Sequence, residues 1–497
     1  MGSAILSCAL LGVPGSAAAQ APGGTTQPAQ QGTGLGSSGP TSGGYVTTPA
    51  GGFNPRGGAS GSQQNPYQGS VTEGKATGGV IPLSMDDAIQ RGLRNNLGYI
   101  LENVAVKQSA GQRLQELQPL LPTITGDVKI QVSQISLRAQ GINFPGVPAV
   151  VGPFQTVDFR ASLTQALLNL SALRNYMAAK HDFQAAKLTL DDARDLVVLA
   201  VGNAYLTVIA DASRVERQQA QLDTAKVSLD QAVQQHAAGT SPKLDELRAR
   251  VDFQTQEQQL IQTQNDFEKD KIALARAIGL PLDQQFTLSD TEPYAELTGV
   301  DEATAIQRAL DARSDLKALR EQVRAAESLK GSARAERYPA VDIAGDYGDI
   351  GITPGHSHGT GDVSGQVSAP IFEEAKLRGD MKVADAQLQQ RRAQLNDGEA
   401  QVRADVIDSL LDLQSAAKLV EASRSNVDLT TEALKEAQDR YAAGVSDNLA
   451  VSQAQSSLAQ ANDQYVSSLY QHNLAKLSLA RALGRARTDY KTYLGGK

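Results

Sequence analysis

The chain has 497 residues, a formal net charge of −8, 4% aromatic residues and no tryptophan, which suits long helices packed through small side chains better than one large globular core. Its acidic balance argues against a nucleic-acid partner, which would require a basic face. Cys8 is the only cysteine, so a disulfide framework and a cysteine-based metal site are excluded.

The chain opens with an apolar stretch, SAILSCALLGVPGSAAAQ, in which Ala17-Ala18-Ala19 before Gln20 resembles a signal-peptidase site. Residues 1–19 are therefore expected to be an export signal, too short to span a membrane. Leu6-Ser7 before Cys8 matches a lipidation site poorly. Residues 20–80 are Gly, Ser, Thr, Gln and Pro, with Arg56, Glu73 and Lys75 as the only charges, and are expected to be a disordered leader. No later window holds eighteen consecutive apolar residues, so no transmembrane helix is predicted.

Ser84, followed by Asp86 and Asp87, caps a first helix whose apolar spacing continues to Leu117. The period then falls to two. Ile124, Gly126, Val128, Ile130 and Val132 alternate with polar neighbours, predicting a strand over about 122–133, and Val157, Phe159, Ala161 and Leu163 predict another over about 155–165. A helix without proline runs from about Ala172 to His236, roughly 95 Å at 1.5 Å per residue. Gly239 ends it, Ser241 and Pro242 open the next, and that helix stops at Gly279-Leu280-Pro281.

After a linker over 286–300 the scheme repeats. Helices are predicted from about Asp301 to Arg337, Glu373 to Tyr441 and Ser446 to Leu483, with strands at about 339–349 and 361–371 and a tail over 487–497. The repetition is visible in the residues themselves. Gly239 and Gly444 lie 205 apart, and that offset carries KIALARAIG onto KLSLARALG; AIQRGLRNNL and AIQRALDARS lie 217 apart. The chain therefore reads as two repeats, 81–285 and 301–486, the first with about twelve extra residues. In each, the long helix matches two shorter ones placed end to end. Phe253, Leu260, Phe267 and Leu274, with counterparts Leu458, Tyr465, His472 and Leu479, keep a seven-residue seam for antiparallel coiled-coil packing.

Helices alone fit a soluble coiled-coil scaffold equally well. The four strands carry more information, because about ten residues cross a bilayer when tilted and each strand has one apolar face. Only a closed barrel satisfies strand edges in lipid, and four strands cannot close around a pore, so several chains would have to contribute. A small exposed antiparallel sheet shows the same alternation.

LSMDDAIQRGLRNN, LPTITGDV, the paired AAG turns, LARAIG and LARALG, in this order and duplicated, resemble the TolC-like outer-membrane efflux protein family over about residues 81–486. The resemblance implies a mainly α fold with membrane β. Two tandem helix–β-hairpin–helix repeats would form, as a homotrimer, a twelve-stranded β-barrel and a long periplasmic α-helical coiled-coil barrel. It implies an outer-membrane channel of a tripartite efflux or type I secretion system, with outer-membrane lipid, a periplasmic membrane-fusion adaptor and an inner-membrane pump of RND, ABC or MFS type as partners. The helix-to-helix turns would be the periplasmic tips, placing Gly239, Thr240, Ser241, Asp245, Gly444, Val445 and Ser446 at the adaptor contact. Tyr441, Asp447 and Gln453 would be gate residues; Ala450 and Gln453 stand where some members carry an acidic ring, with Asp447 as a substitute, and Ser446 where an arginine can latch the tip. The runner-up is a non-conducting structural protein of the envelope.

His356-Ser357-His358 could offer imidazole to a metal, but in a Gly-rich loop it reads as solvated. No phosphate-binding loop, nucleophile elbow or HExxH motif is present, so neither enzyme chemistry nor a cofactor is expected.

Overall fold

The structure is a computed structural model that describes residues 65–141, 145–146, 148–290, 301–446 and 448–493. The expected export signal, most of the leader, residues 291–300 and Asp447 lie outside them.

The first repeat contains β1 (Ile81–Leu83), α1 (Met85–Asn95), α2 (Leu97–Leu117), β2 (Thr123–Ser136), β3 (Val150–Leu168), α3 (Leu170–Ala237), α4 (Lys243–Ile278) and β4 (Phe286–Leu288). The second contains α5 (Glu302–Ala312), α6 (Ser314–Ala335), β5 (Ala340–Gly351), β6 (Ser357–Ser368), α7 (Glu374–Ala442) and α8 (Asn448–Ala482), followed by α9 (Ala486–Tyr493). Ser84 caps α1 by accepting from Asp87 N–H at 3.1 Å, as its sequence position predicts. α3 packs along α2, α4 and α6, and α7 along α8 and α6. Of the predicted seam, Leu260, Leu274, His472 and Leu479 are buried and the rest half-buried.

β2, β3, β5 and β6 form one antiparallel sheet in that order. Strand β3 of the first repeat pairs with β5 of the second, Ala161 opposite Tyr347, which fuses the two hairpins. The strands are longer than the alternation predicts: β2 reaches Ser136 and β3 spans Val150–Leu168. β1 and β4 pair in parallel as a separate ribbon, so Phe286–Leu288 is a strand rather than linker. Phe286 is held there by burial in the core.

Among the described residues, two cores underlie the helices. In one, Leu83, Ile89, Val197, Val201, Tyr205, Leu274, Ile278 and Leu477 meet. In the other, Leu316, Val402, Val406, Leu479 and Leu483 meet. α3 contains a stretch apolar and long enough to cross a membrane by mean hydropathy, although polar residues interrupt it as the sequence shows. Its Val197, Val198, Val201, Tyr205 and Val208 are fully buried within the chain, so the apolarity is that of a core helix.

Three further expectations need correction. The leader ends before Val80: Val71 N–H donates to Asn95 O at 2.8 Å, Glu73 N–H to Gly279 O at 3.1 Å, and Thr77 bonds Gln284. The tail from 487 is partly helical, because Arg487 N–H caps onto Asp195 and the Tyr490 hydroxyl bonds Asp86. Each shorter helix is also broken in two, at Asn96 and at Arg313, positions equivalent under the 217-residue offset. Asn96 Oδ1 accepts from Gly98 N–H at 2.9 Å while its Nδ2 donates to Tyr67 O at 2.7 Å. Arg313 instead grips Asp315 and Asp405, each at 2.6 Å.

Both breaks press against the glycine that ends the last helix of the same repeat. A Cβ on Gly279 would lie 2.7 Å from Asn95 Cβ and 2.8 Å from Val71 O, and one on Gly484 3.0 Å from the Arg313 backbone. Both glycines also have positive φ, +76° and +69°. Gly279→Ala is expected to destabilise the protein by about 2 kcal/mol or more, from left-handed strain plus overpacking. Gly111→Ala, in open space on α2, should be neutral or stabilise by up to about 1 kcal/mol. Thermal midpoints of the two variants check this.

Asp192 is buried beside Arg481 at 2.6 Å. Burial pushes its carboxyl up to about 6, with Arg481 opposing. A folded-state value above the unfolded one means that protonated Asp192 stabilises the fold below about pH 4, and that this contribution is lost as pH rises through about 6. Asp192→Asn should flatten the dependence of melting temperature on pH across that window.

Candidate functional site

The two helix-to-helix turns have one backbone design. After α3, Gly239 N–H donates to His236 O at 3.0 Å and Thr240 N–H to Gln235 O at 2.9 Å. After α7, Gly444 N–H donates to Tyr441 O at 3.0 Å and Val445 N–H to Arg440 O at 3.0 Å. These paired bonds form the Schellman motif, which satisfies the last helical carbonyls and requires a left-handed residue. Gly239 and Gly444 both have φ of +72°, and nothing surrounds either within 4 Å. Backbone conformation alone therefore demands glycine.

The tips carry concentrated charge. Asp245 and Glu246 are both buried at the start of α4. Glu246 is ringed by Lys243 at 2.5 Å, Arg250 at 3.0 Å and His236 at 4.0 Å. Lys243 in particular holds its carboxyl below the usual range. Ser241 Oγ donates to Asp245 at 2.9 Å, and the phenol hydroxyl of Tyr441 from the other tip is buried near both, without a hydrogen-bond partner among the described residues. Burial pushes the Tyr441 phenol upward, Ser241 opposes, and Asp245 adds to the rise. Of the residues expected at the tips, the structure thus brings Ser241, Asp245 and Tyr441 together. Gly239, Thr240, Gly444 and Val445 are exposed, Ser446 is half-buried, and Gln453 is exposed on α8. Asp447 lies outside the described residues.

Sequence reasoning missed His236, Lys243 and Glu246, and the ties Ser452 Oγ to Asp252 at 2.7 Å and Gln455 Nε2 to Ser228 Oγ at 3.0 Å. The i,i+3 spacing of Lys243 and Glu246 was a readable signal for one pair. The two ties join residues about 200 positions apart and carry no local pattern. Leu244, Leu247 and Val251 are exposed along one face of α4, with Val445 exposed at the other tip.

At the sheet, register sorts the side chains. Ile124 opposes Leu163, Leu163 opposes Gly345, and Gly345 opposes Val363; Val128, Ile130, Val132, Tyr347 and Val367 share that exposed apolar face. The opposite face holds Asp127, Lys129, Asp158, Arg160, Asp342, Asp346 and Asp362. Arg160 pairs with Asp346, and with Asp158 at 3.4 Å. β2 and β6, at the two edges, each have one strand partner among the described residues. His356 Nδ1 meets Thr353 Oγ1 at 3.2 Å in the β5–β6 turn, and His358 is exposed on β6.

Long paired helices thus carry one inserted, two-faced antiparallel sheet. The profile of the outer membrane efflux protein family matches residues 103–280 and 305–485, so the chain belongs to that family and localises to the outer membrane. Among relatives, the pyoverdine export outer membrane protein OpmQ of Pseudomonas putida is 25% identical over 420 residues, 80% of this chain and 85% of that protein. The toluene efflux pump outer membrane protein TtgF of Pseudomonas putida is 26% identical over 412 residues, 80% and 83% respectively. The fold matches the outer membrane protein VceC of Vibrio cholerae with a TM-score of 0.70 at 21% identity, covering 80% of this chain and 96% of that one. It matches the Campylobacter jejuni CmeC outer membrane channel at 0.71 and 16%, covering 85% and 92%.

Gly239→Ala and Gly444→Ala should each cost about 1–2 kcal/mol of local stability, the penalty of a left-handed L-residue. Hydrogen exchange in the last turns of α3 and α7 should accelerate, whereas the control Gly111→Ala leaves both unchanged.

Proposed function

We propose that this chain is the outer-membrane channel of a tripartite efflux or type I secretion system, a passive duct for cargo delivered by an inner-membrane pump through a periplasmic adaptor. The observation that carries the proposal is the sheet, apolar on one face, charged on the other, and with an unshared edge at β2 and at β6. In lipid those edges require partners, and the same two edges on further copies supply them. Three chains give the twelve-stranded barrel that the family resemblance implies. The charged face would line the lumen, where acidic residues outnumber Lys129 and Arg160. Repeats 81–285 and 301–486 would each supply one hairpin and one periplasmic helical arm.

In this reading the tips lie farthest from the membrane. Gly239, Thr240, Ser241, Asp245, Gly444, Val445 and Ser446 would meet the adaptor, aided by the exposed Leu244 and Leu247. Tyr441, Asp447 and Gln453 would face the entrance. The relatives' printed functions, pyoverdine export and toluene efflux, support small-molecule cargo chosen mainly by the pump.

Protein extracted from outer membranes should migrate as a trimer unheated and a monomer after boiling, and should conduct ions in planar bilayers. A monomeric, water-soluble species without conductance would overturn the duct and support the scaffold. Ser446 carries no charge to latch the tip, so Ser446→Arg should lower single-channel conductance; unchanged conductance counts against a gate at this turn.

A further inference from the structure

His472, Asn473 and Lys476 on α8 are 1%, 0% and 0% exposed. Spacings of three and four residues put them on one helix face. Among the described residues, neither the Nδ2 nor the Oδ1 of Asn473 finds a hydrogen-bond partner, and neither does Lys476 Nζ. A buried ammonium without an acceptor is among the costliest arrangements a fold can hold. Burial brings Lys476 down to about 8, which leaves it mainly charged at neutral pH. Burial, with Lys476 adding, brings His472 down to about 4 and leaves it neutral.

The first repeat shows what such a lysine ordinarily has. At the 205-residue offset, Phe267, Glu268 and Lys271 correspond to His472, Asn473 and Lys476. Lys271 Nζ pairs with both oxygens of Glu268, at 3.2 and 3.3 Å, and lies over the rings of Phe267 and Phe286. The second repeat keeps the cation but replaces its carboxylate with a neutral side chain one methylene shorter.

Among the described residues, no carboxylate bonds Lys476 Nζ. On α7, Asp405 is engaged by Arg313, and Asp408 and Asp412 are exposed. On α3, Asp192 is taken by Arg481, Asp195 by Arg487 N–H, and Asp211 by Arg214. On α9, Asp489 pairs with Arg485. Full burial within one chain also excludes a carboxylate from a second copy.

We propose that a small monovalent inorganic anion, of chloride's size and charge, binds between Lys476 Nζ and Asn473 Nδ2 and takes the place of the carboxylate that Glu268 provides in the first repeat. The anion is a structural counter-ion within the helical wall, independent of whatever passes through a pore.

The test uses the full chain purified in detergent, with melting followed in sodium chloride against sodium gluconate at equal ionic strength. Wild type should melt several degrees higher in chloride. Asn473→Glu, which rebuilds the first-repeat pair, and Lys476→Met, which removes the charge, should lose that difference. Crystals grown in bromide should show anomalous density beside Lys476 Nζ. Indifference of the wild type to chloride, an equal chloride effect in Lys476→Met, or density for water alone at this position would each overturn the proposal.

Discussion

Backbone hydrogen bonding at the outer edges of the four-stranded sheet is the constraint to which the remaining architecture answers. β2 and β6 each present a row of N–H and C=O groups with no strand beside it among the described residues. In water such groups are hydrated, whereas in hydrocarbon each unmet group costs several kcal/mol. A sheet with an exposed apolar face and such edges is therefore incomplete as a single chain in lipid. The β3–β5 pairing matters for the same reason. It joins the hairpins of the two repeats into one continuous piece, leaving two edges to be satisfied rather than four.

Duplication accounts for the frame, and divergence for its chemistry. Both repeats break their shorter helices at equivalent positions, end their last helix on a glycine packed against that break, and close their tips with the same paired bonds. The side chains at these places differ. Asn96 holds its break with amide bonds to backbone, while Arg313 uses two carboxylates. Backbone geometry has been kept under both solutions because the helix-end glycines leave no room for anything else. The first tip has gathered Glu246 beside Lys243, Arg250 and His236, and the second buries the Tyr441 hydroxyl near Asp245.

Much of this was legible in the residues. Period-two alternation located all four long strands, glycine punctuation located the turns, and fixed offsets of 205 and 217 residues exposed the repeat. The helix breaks were hidden because neither Asn96 nor Arg313 is a breaker by itself; partners distant in sequence, Tyr67 and Asp405, hold them out of helical geometry. The docked leader was hidden for a related reason. Its Gly- and Thr-rich composition predicts disorder, yet its backbone finds fixed acceptors at Asn95 and Gly279. At the tips, spacing identified the turn and the acidic residue, but the approach of His236 to Glu246 depends on how α3 and α4 meet.

The contact between the last helix and the first has a kinetic meaning. Ala486 and Tyr490 belong to the same core as Leu83 and Ile89, and the Tyr490 hydroxyl closes on Asp86 across 404 positions of chain. That core cannot be completed in a nascent chain before Ala486 and Tyr490 have been synthesised and threaded. Until those residues arrive, Leu83 and Ile89 lack part of their cover, so release of truncated products would leave an adhesive surface open to proteases and chaperones. Such long-range closure makes folding slow and late. Closure of this core thus waits on a stretch of chain 404 positions downstream of Asp86.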